Sequence, residues 1–90
     1  MFYVYILVSR KDGELYIGYT RDLCKRMEEH KQGRSFSTHL RLPVELVYYE
    51  AYGSEEDALL RESRLKDYGK ALGQLKRRIQ HSLSAGKGAG

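Results

Sequence analysis

At 90 residues the chain has room for one domain with a modest core and little left for a second. An apolar fraction of 41% beside a charged fraction of 31% of both signs argues against wholesale disorder, and the single cysteine excludes an internal disulfide and a multi-cysteine zinc site. The net charge of +4 favours an anionic partner, and residues 53–90 hold the excess, with eight basic and five acidic residues against eight and seven in residues 1–52.

Phe2 to Val8 is rich in aromatic and β-branched residues and reads as a strand. It is too short to span a membrane and lacks the flanks of a secretory leader, so a soluble, cytoplasmic protein with no membrane partner is expected. Glu14 to Thr20 is a second strand of the same kind, and Lys11-Asp12-Gly13 between them is a hairpin signal. Side chains alternate along a strand, so a connection with an even number of residues puts Tyr5 and Tyr16 on one sheet face. Taken singly, each is an ordinary half-buried strand aromatic.

Asp22 to Gln32 reads as a helix with Thr20 or Asp22 as N-cap and Gly33 as terminator. Leu23 and Met27 form its apolar stripe, and Cys24 reads as a small packing residue. Arg26 and His30 lie one turn apart on one face; taken alone they form a solvated face, with Arg26 pairing to Asp22 or Glu29. Arg34 to Leu42 is polar, ends at Pro43, and reads as a mobile loop. Val44 to Tyr52 is a third strand.

Ser54, with Asp57 three residues on, approximates a capping box and opens a helix running through Tyr68, with Gly69 as its C′ residue. Ala58, Leu59 and Leu65 form its inward stripe. Glu62 lies beside that stripe, where a carboxylate requires a cation: Lys66, Arg61 or a metal ion. Leu72, Leu75, Ile79 and Leu83 mark one further helix with Lys76, Arg77 and Arg78 outward. Residues 85–90 carry no apolar side chain larger than alanine and read as a disordered tail behind a folded domain of residues 1–84. The expected class is α+β: a three-stranded antiparallel sheet flanked by about three helices, in the order β-β-α-β-α-α.

These residues in this order resemble the GIY-YIG nuclease family, in particular its small single-domain members, which are related to the amino-terminal nuclease domain of an excinuclease. Tyr3-Val4-Tyr5 matches the first family tripeptide and Tyr16-Ile17-Gly18 the second. Arg26 and His30 follow on the helix, Leu46 to Glu50 after Pro43, and Glu62 within Ala58 to Glu62. The resemblance implies a metal-dependent endonuclease that hydrolyses DNA phosphodiester bonds by water attack. It implies one divalent ion on Glu62, Mg²⁺ or Mn²⁺, with Tyr5 as general base acting directly or through water, and Tyr16 positioning water or phosphate. Arg26 would hold the scissile phosphate and His30 would assist in proton transfer or phosphate contact. DNA is favoured over RNA as partner, with DNA repair as the setting. Lys25, Arg34, Thr38, Arg41, Lys66, Lys76, Arg77 and Arg78 are candidate phosphate contacts, and Ser37 joins them. Tyr3 stands where the family often has glycine, and the chain contains no asparagine, although many members use one to order the site. The alternative reading is a catalytically weak nucleic-acid-binding module of the same fold.

Overall fold

The computed structural model describes residues 1–88. Its elements run β1 (Phe2–Ser9), β2 (Leu15–Thr20), α1 (Leu23–Lys31), β3 (Val44–Tyr52), α2 (Glu55–Lys66), α3 (Lys70–Arg78) and α4 (Gln80–Gly88). The three strands form one antiparallel sheet in the order β2-β1-β3. The fold is thus α+β as expected, with four helices among the described residues where about three were expected. Among the described residues no helix is long and apolar enough to cross a membrane.

The central strand divides its side chains by parity. Val4 and Ile6 point to one face, where they pack with Ile17 and with Ala58 and Leu65 of α2, Leu72 and Leu75 of α3, and Ile79. Burying this continuous apolar cluster is the main source of stability. Tyr5, on the opposite parity, meets α1. In the β1–β2 register Tyr5 stands opposite Gly18 and Leu7 opposite Tyr16, so Tyr5 and Tyr16 share a face as diagonal neighbours. On the other side, Ile6 pairs with Tyr48 and Leu7 with Leu46, leaving Val47 as an extra residue in β3.

The hairpin turn closes as its composition requires. Gly13 takes the left-handed φ of 77°, and its N–H donates to the Ser9 carbonyl at 2.8 Å. In α1, Asp22 is the N-cap and accepts from the Lys25 N–H at 3.0 Å. At the other end Gly33 has φ 76°, with bonds from Gly33 N–H to His30 O and from Arg34 N–H to Glu29 O. These two bonds make a Schellman motif.

Several expectations need correction. Ser54 is the N-cap of α2, but its side chain makes no capping bond. The helix ends at Lys66, and Tyr68, not Gly69, takes the left-handed conformation at φ 55°. Gly69 is already the N-cap of α3, at φ −99°, so the chain reversal falls on the residue before it. The single helix expected across Leu72 to Leu83 breaks at Ile79, whose backbone turns to φ −116° and ψ 23° while its side chain stays in the core. The apolar period continues through this break, which is why it is invisible in the pattern. Leu59 and Cys24 are exposed, so neither packs inward as expected. α4 runs to Gly88 and so overlaps the segment expected as a tail; residues 89–90 lie outside the described residues.

Candidate active site

Gly18 governs how the site is built. A Cβ placed there would lie 2.3 Å from both Cζ and Oη of Tyr5, so the tyrosine ring occupies the space a side chain would need. With that space vacant, Tyr5 reaches across β2 from the centre of the sheet. Its hydroxyl meets α1 there. Arg26 Nε donates to Tyr5 Oη at 3.3 Å, and His30 Nε2 lies 3.0 Å from the same oxygen. The His30 ring meets the Tyr5 ring edge-on, at 72° between planes.

Residues 33–43 close over this group. Arg26 Nη2 donates to Ser35 Oγ at 3.1 Å, and Ser35 Oγ lies 3.1 Å from Ser37 Oγ. Arg26 Nη1 donates to Glu29 at 3.2 Å. Three of its five N–H groups are thus engaged, leaving two for an anion. His30 Nδ1 lies 2.6 Å from Thr38 Oγ1. Ser35 and Thr38 are buried, so these two side chains anchor on α1 a segment whose other residues are mostly exposed. Thr38 is 0% exposed and therefore cannot contact phosphate. His30, only 2% exposed, likewise faces Tyr5 and not solvent.

Tyr5 and Arg26 line a cleft of about 400 Å³ together with Tyr16, Ser37, Glu62, Lys66 and Tyr68. Across it, the Glu62 side chain is 18% exposed and pairs with Lys66 Nζ at 3.2 Å. Of the two cations expected for Glu62, Lys66, one helical turn on, is the one it has. Arg61 turns to β3 and clasps Glu50, with Nε–Oε1 at 2.9 Å and Nη2–Oε2 at 3.0 Å. Tyr48 donates to the same carboxylate at 2.5 Å, and Tyr52 does so as well.

The expected phosphate contacts scatter. Lys66 lines the cleft; Arg41 pairs with Asp12 at 3.2 Å; Lys25 and Arg34 are outside the lining, as are Lys76, Arg77 and Arg78 on α3. Sequence reasoning missed Ser35, the anchoring role of Thr38, and the clearance at Gly18. A glycine inside a strand was the available signal for the last of these.

Burial, reinforced by the Arg26 charge, lowers the His30 pKa below its usual 6.5, against a smaller opposing effect from Glu29. A depressed folded-state value means that the unfolded chain binds the proton more readily. The resulting stability is complete above pH 6.5 and is lost as pH falls through the folded value. Urea midpoints are expected to drop below pH 6.5 in the native chain and to drop less in His30→Gln; parallel profiles would contradict this.

Residues 1–78 match the family model of the GIY-YIG catalytic domain. The chain belongs to the GIY-YIG family. A UPF0213 protein of Staphylococcus saprophyticus is 42% identical over 69 residues, covering 76% of this chain and 83% of that relative. A UPF0213 protein of Staphylococcus aureus is 45% identical over 67 residues, covering 73% and 80%. A solution structure of a UPF0213 protein from Bacillus halodurans is 38% identical, covers 98% of this chain and 87% of that one, and superposes with a TM-score of 0.46. Membership in the GIY-YIG family gives a nuclease-type fold and, in general terms, a nucleic acid substrate.

Proposed function

We propose that this GIY-YIG protein is a metal-dependent endonuclease that hydrolyses DNA phosphodiester bonds in the cytoplasm. The observation that carries the reading is the convergence, on one cleft, of a tyrosine oxygen held by Arg26 and His30 with a carboxylate, Glu62, on the facing helix.

Among the described residues no group of three or more His, Cys, Asp or Glu could hold a metal, and Glu62 is the cleft's one carboxylate. That donor set suits a hard, highly hydrated cation such as Mg²⁺ or Mn²⁺, which takes one carboxylate, several waters and substrate oxygens. Bound there, it would supply charge neutralisation at the scissile phosphate. Lys66 would yield Glu62 to it and turn to the anion.

Tyr5 acts as the phenolate: its own proton leaves to solvent through the cleft, and Arg26 Nε donates to the oxygen and stabilises the negative charge left there. That oxygen then takes the proton of the attacking water, directly or through a second water, as the hydroxide forms its bond to phosphorus and the leaving oxygen departs. The two unengaged Arg26 N–H groups bind phosphate oxygens, where charge grows in the transition state. Tyr16, the diagonal neighbour of Tyr5 on the same sheet face and also in the cleft lining, orients the water or the phosphate.

Nicking of supercoiled DNA, together with cleavage of single-stranded and branched DNA, in Mg²⁺ or Mn²⁺ tests the proposal. The native chain is expected to cut, and chelation is expected to abolish cutting. Glu62→Ala and Tyr5→Phe should each lower the rate about 10²- to 10⁴-fold, Glu62→Ala while melting normally and Tyr5→Phe while remaining folded with some loss of stability. Unchanged rates in both variants would overturn it. Salt-sensitive DNA binding with no cleavage, unaffected by Glu62→Ala, would instead identify a binding module.

A further inference from the structure

We infer that Thr38, which does not reach the cleft, is the positioning residue that fixes the tautomer of His30 and so sets the hydrogen bonds at Tyr5. Counting protons leads to this assignment. Thr38 Oγ1 is fully buried, lies 2.6 Å from His30 Nδ1, and makes no other hydrogen bond among the described residues. A neutral imidazole has one N–H. If that proton sat on Nδ1 and pointed at Thr38, the threonine's own O–H would be a buried donor with no acceptor. If the threonine O–H donates to Nδ1 instead, the ring proton is on Nε2 and donates to Tyr5 Oη at 3.0 Å. Only the second arrangement satisfies every group.

The ring is held neutral by its burial and by Arg26, with Tyr5, Glu29 and Thr38 as the other polar groups facing it. The backbone holds Thr38 in place: its N–H donates to Ser35 O at 3.2 Å and its carbonyl accepts from Arg41 N–H at 2.8 Å. The consequence lies one residue further on. Tyr5 Oη accepts from two N–H groups, His30 Nε2 and Arg26 Nε, so its own proton is directed into the cleft. Negative charge on that oxygen then meets two donors already in place. The catalytic half of this inference rests on the proposed nuclease reading; the tautomer does not.

Long-range proton–nitrogen correlation spectra of the ¹⁵N-labelled native protein at pH 7.5 read the tautomer directly, with His30→Gln assigning the signal against His39 and His81. The expected result is the Nε2–H form at His30. Thr38→Ser should retain it and cleave at the native rate. Thr38→Val, which removes the donor at similar size, should yield a mixture of tautomers and lower kcat roughly 10- to 100-fold with little change in KM. A native protein in the Nδ1–H form, or a Thr38→Val spectrum identical to the native one, would overturn the inference. The native spectrum decides the matter even if Thr38→Val does not fold. An Nε2–H signal in a protein that cuts no nucleic acid would leave the tautomer standing and sink the nuclease reading alone.

Discussion

Gly18→Ala is expected to slow cleavage on the order of 10²-fold. The added methyl would sit 2.3 Å from Tyr5 Cζ and Oη, well inside contact distance, and the atoms it meets belong to a ring that is itself 3% exposed. That ring cannot swing aside, because its hydroxyl is tied to Arg26 and His30 on α1. Either the ring tilts and both bonds break, or β2 moves away from β1. Overpacking of this kind costs about 1–3 kcal/mol, and a displacement near 1 Å at a reacting group costs on the order of 10²-fold in rate. Urea unfolding and a nicking assay on the purified variant measure the two effects separately. Native stability together with a native rate would show that Tyr5 does not need this clearance.

Glu50→Ala is expected to cost about 2–4 kcal/mol of stability, the largest loss from any single polar side chain outside the cleft. Glu50 gathers the Arg61 guanidinium and the hydroxyls of Tyr48 and Tyr52 onto one carboxylate between β3 and α2. Burial raises its pKa, but the donors from Arg61, Tyr48 and Tyr52 outweigh burial and hold the value below the usual 4.5. Both phenols are pushed up to about 12, by burial first and then by hydrogen bonding to Glu50. The signs are opposite at the two ends of the pH scale. Stability from Glu50 is present above pH 4.5 and lost as pH falls through its folded value; stability from the tyrosines is present below pH 10 and lost as pH rises through about 12. Removing the carboxylate leaves Arg61 without its partner. Denaturant unfolding gives the cost, and ultraviolet titration should show two phenols ionising earlier than in the native chain. Glu50→Gln, which keeps an acceptor, is expected to lose less. A Glu50→Ala protein as stable as the native one would show the network to be neutral.

What could be read from the sequence follows the range of the interactions. The three strands were legible because β-branched and aromatic runs bounded by Asp-Gly and Pro mark strands locally. Both ends of α1 were legible because Asp22 and Gly33 act within a turn of where they stand. Arg26 and His30 could be placed on one face by spacing alone, and Glu62 could be placed beside an apolar stripe. The remainder depends on distant partners. Ser35 and Thr38 look like surface residues until Arg26 and His30 are folded against them. Arg61 is Glu62's neighbour in the chain, but adjacent helix positions point to different faces, and the partner for its planar fork was 11 residues back, on β3. At Tyr68 the demand came from the next helix, which already used the adjacent glycine as its cap.

Residues 33–43 are pinned by the same bonds that aim the site: Ser35 to Arg26, Thr38 to His30, with Arg41 O to Ser9 Oγ and Pro43 O to Arg10 N–H at the far end. A local opening of this one segment therefore disarms both side chains that address Tyr5 while the apolar core stays intact. On the nuclease reading, cleavage would follow this sub-global equilibrium, and its thermal decline is expected to begin below the temperature at which the whole chain melts.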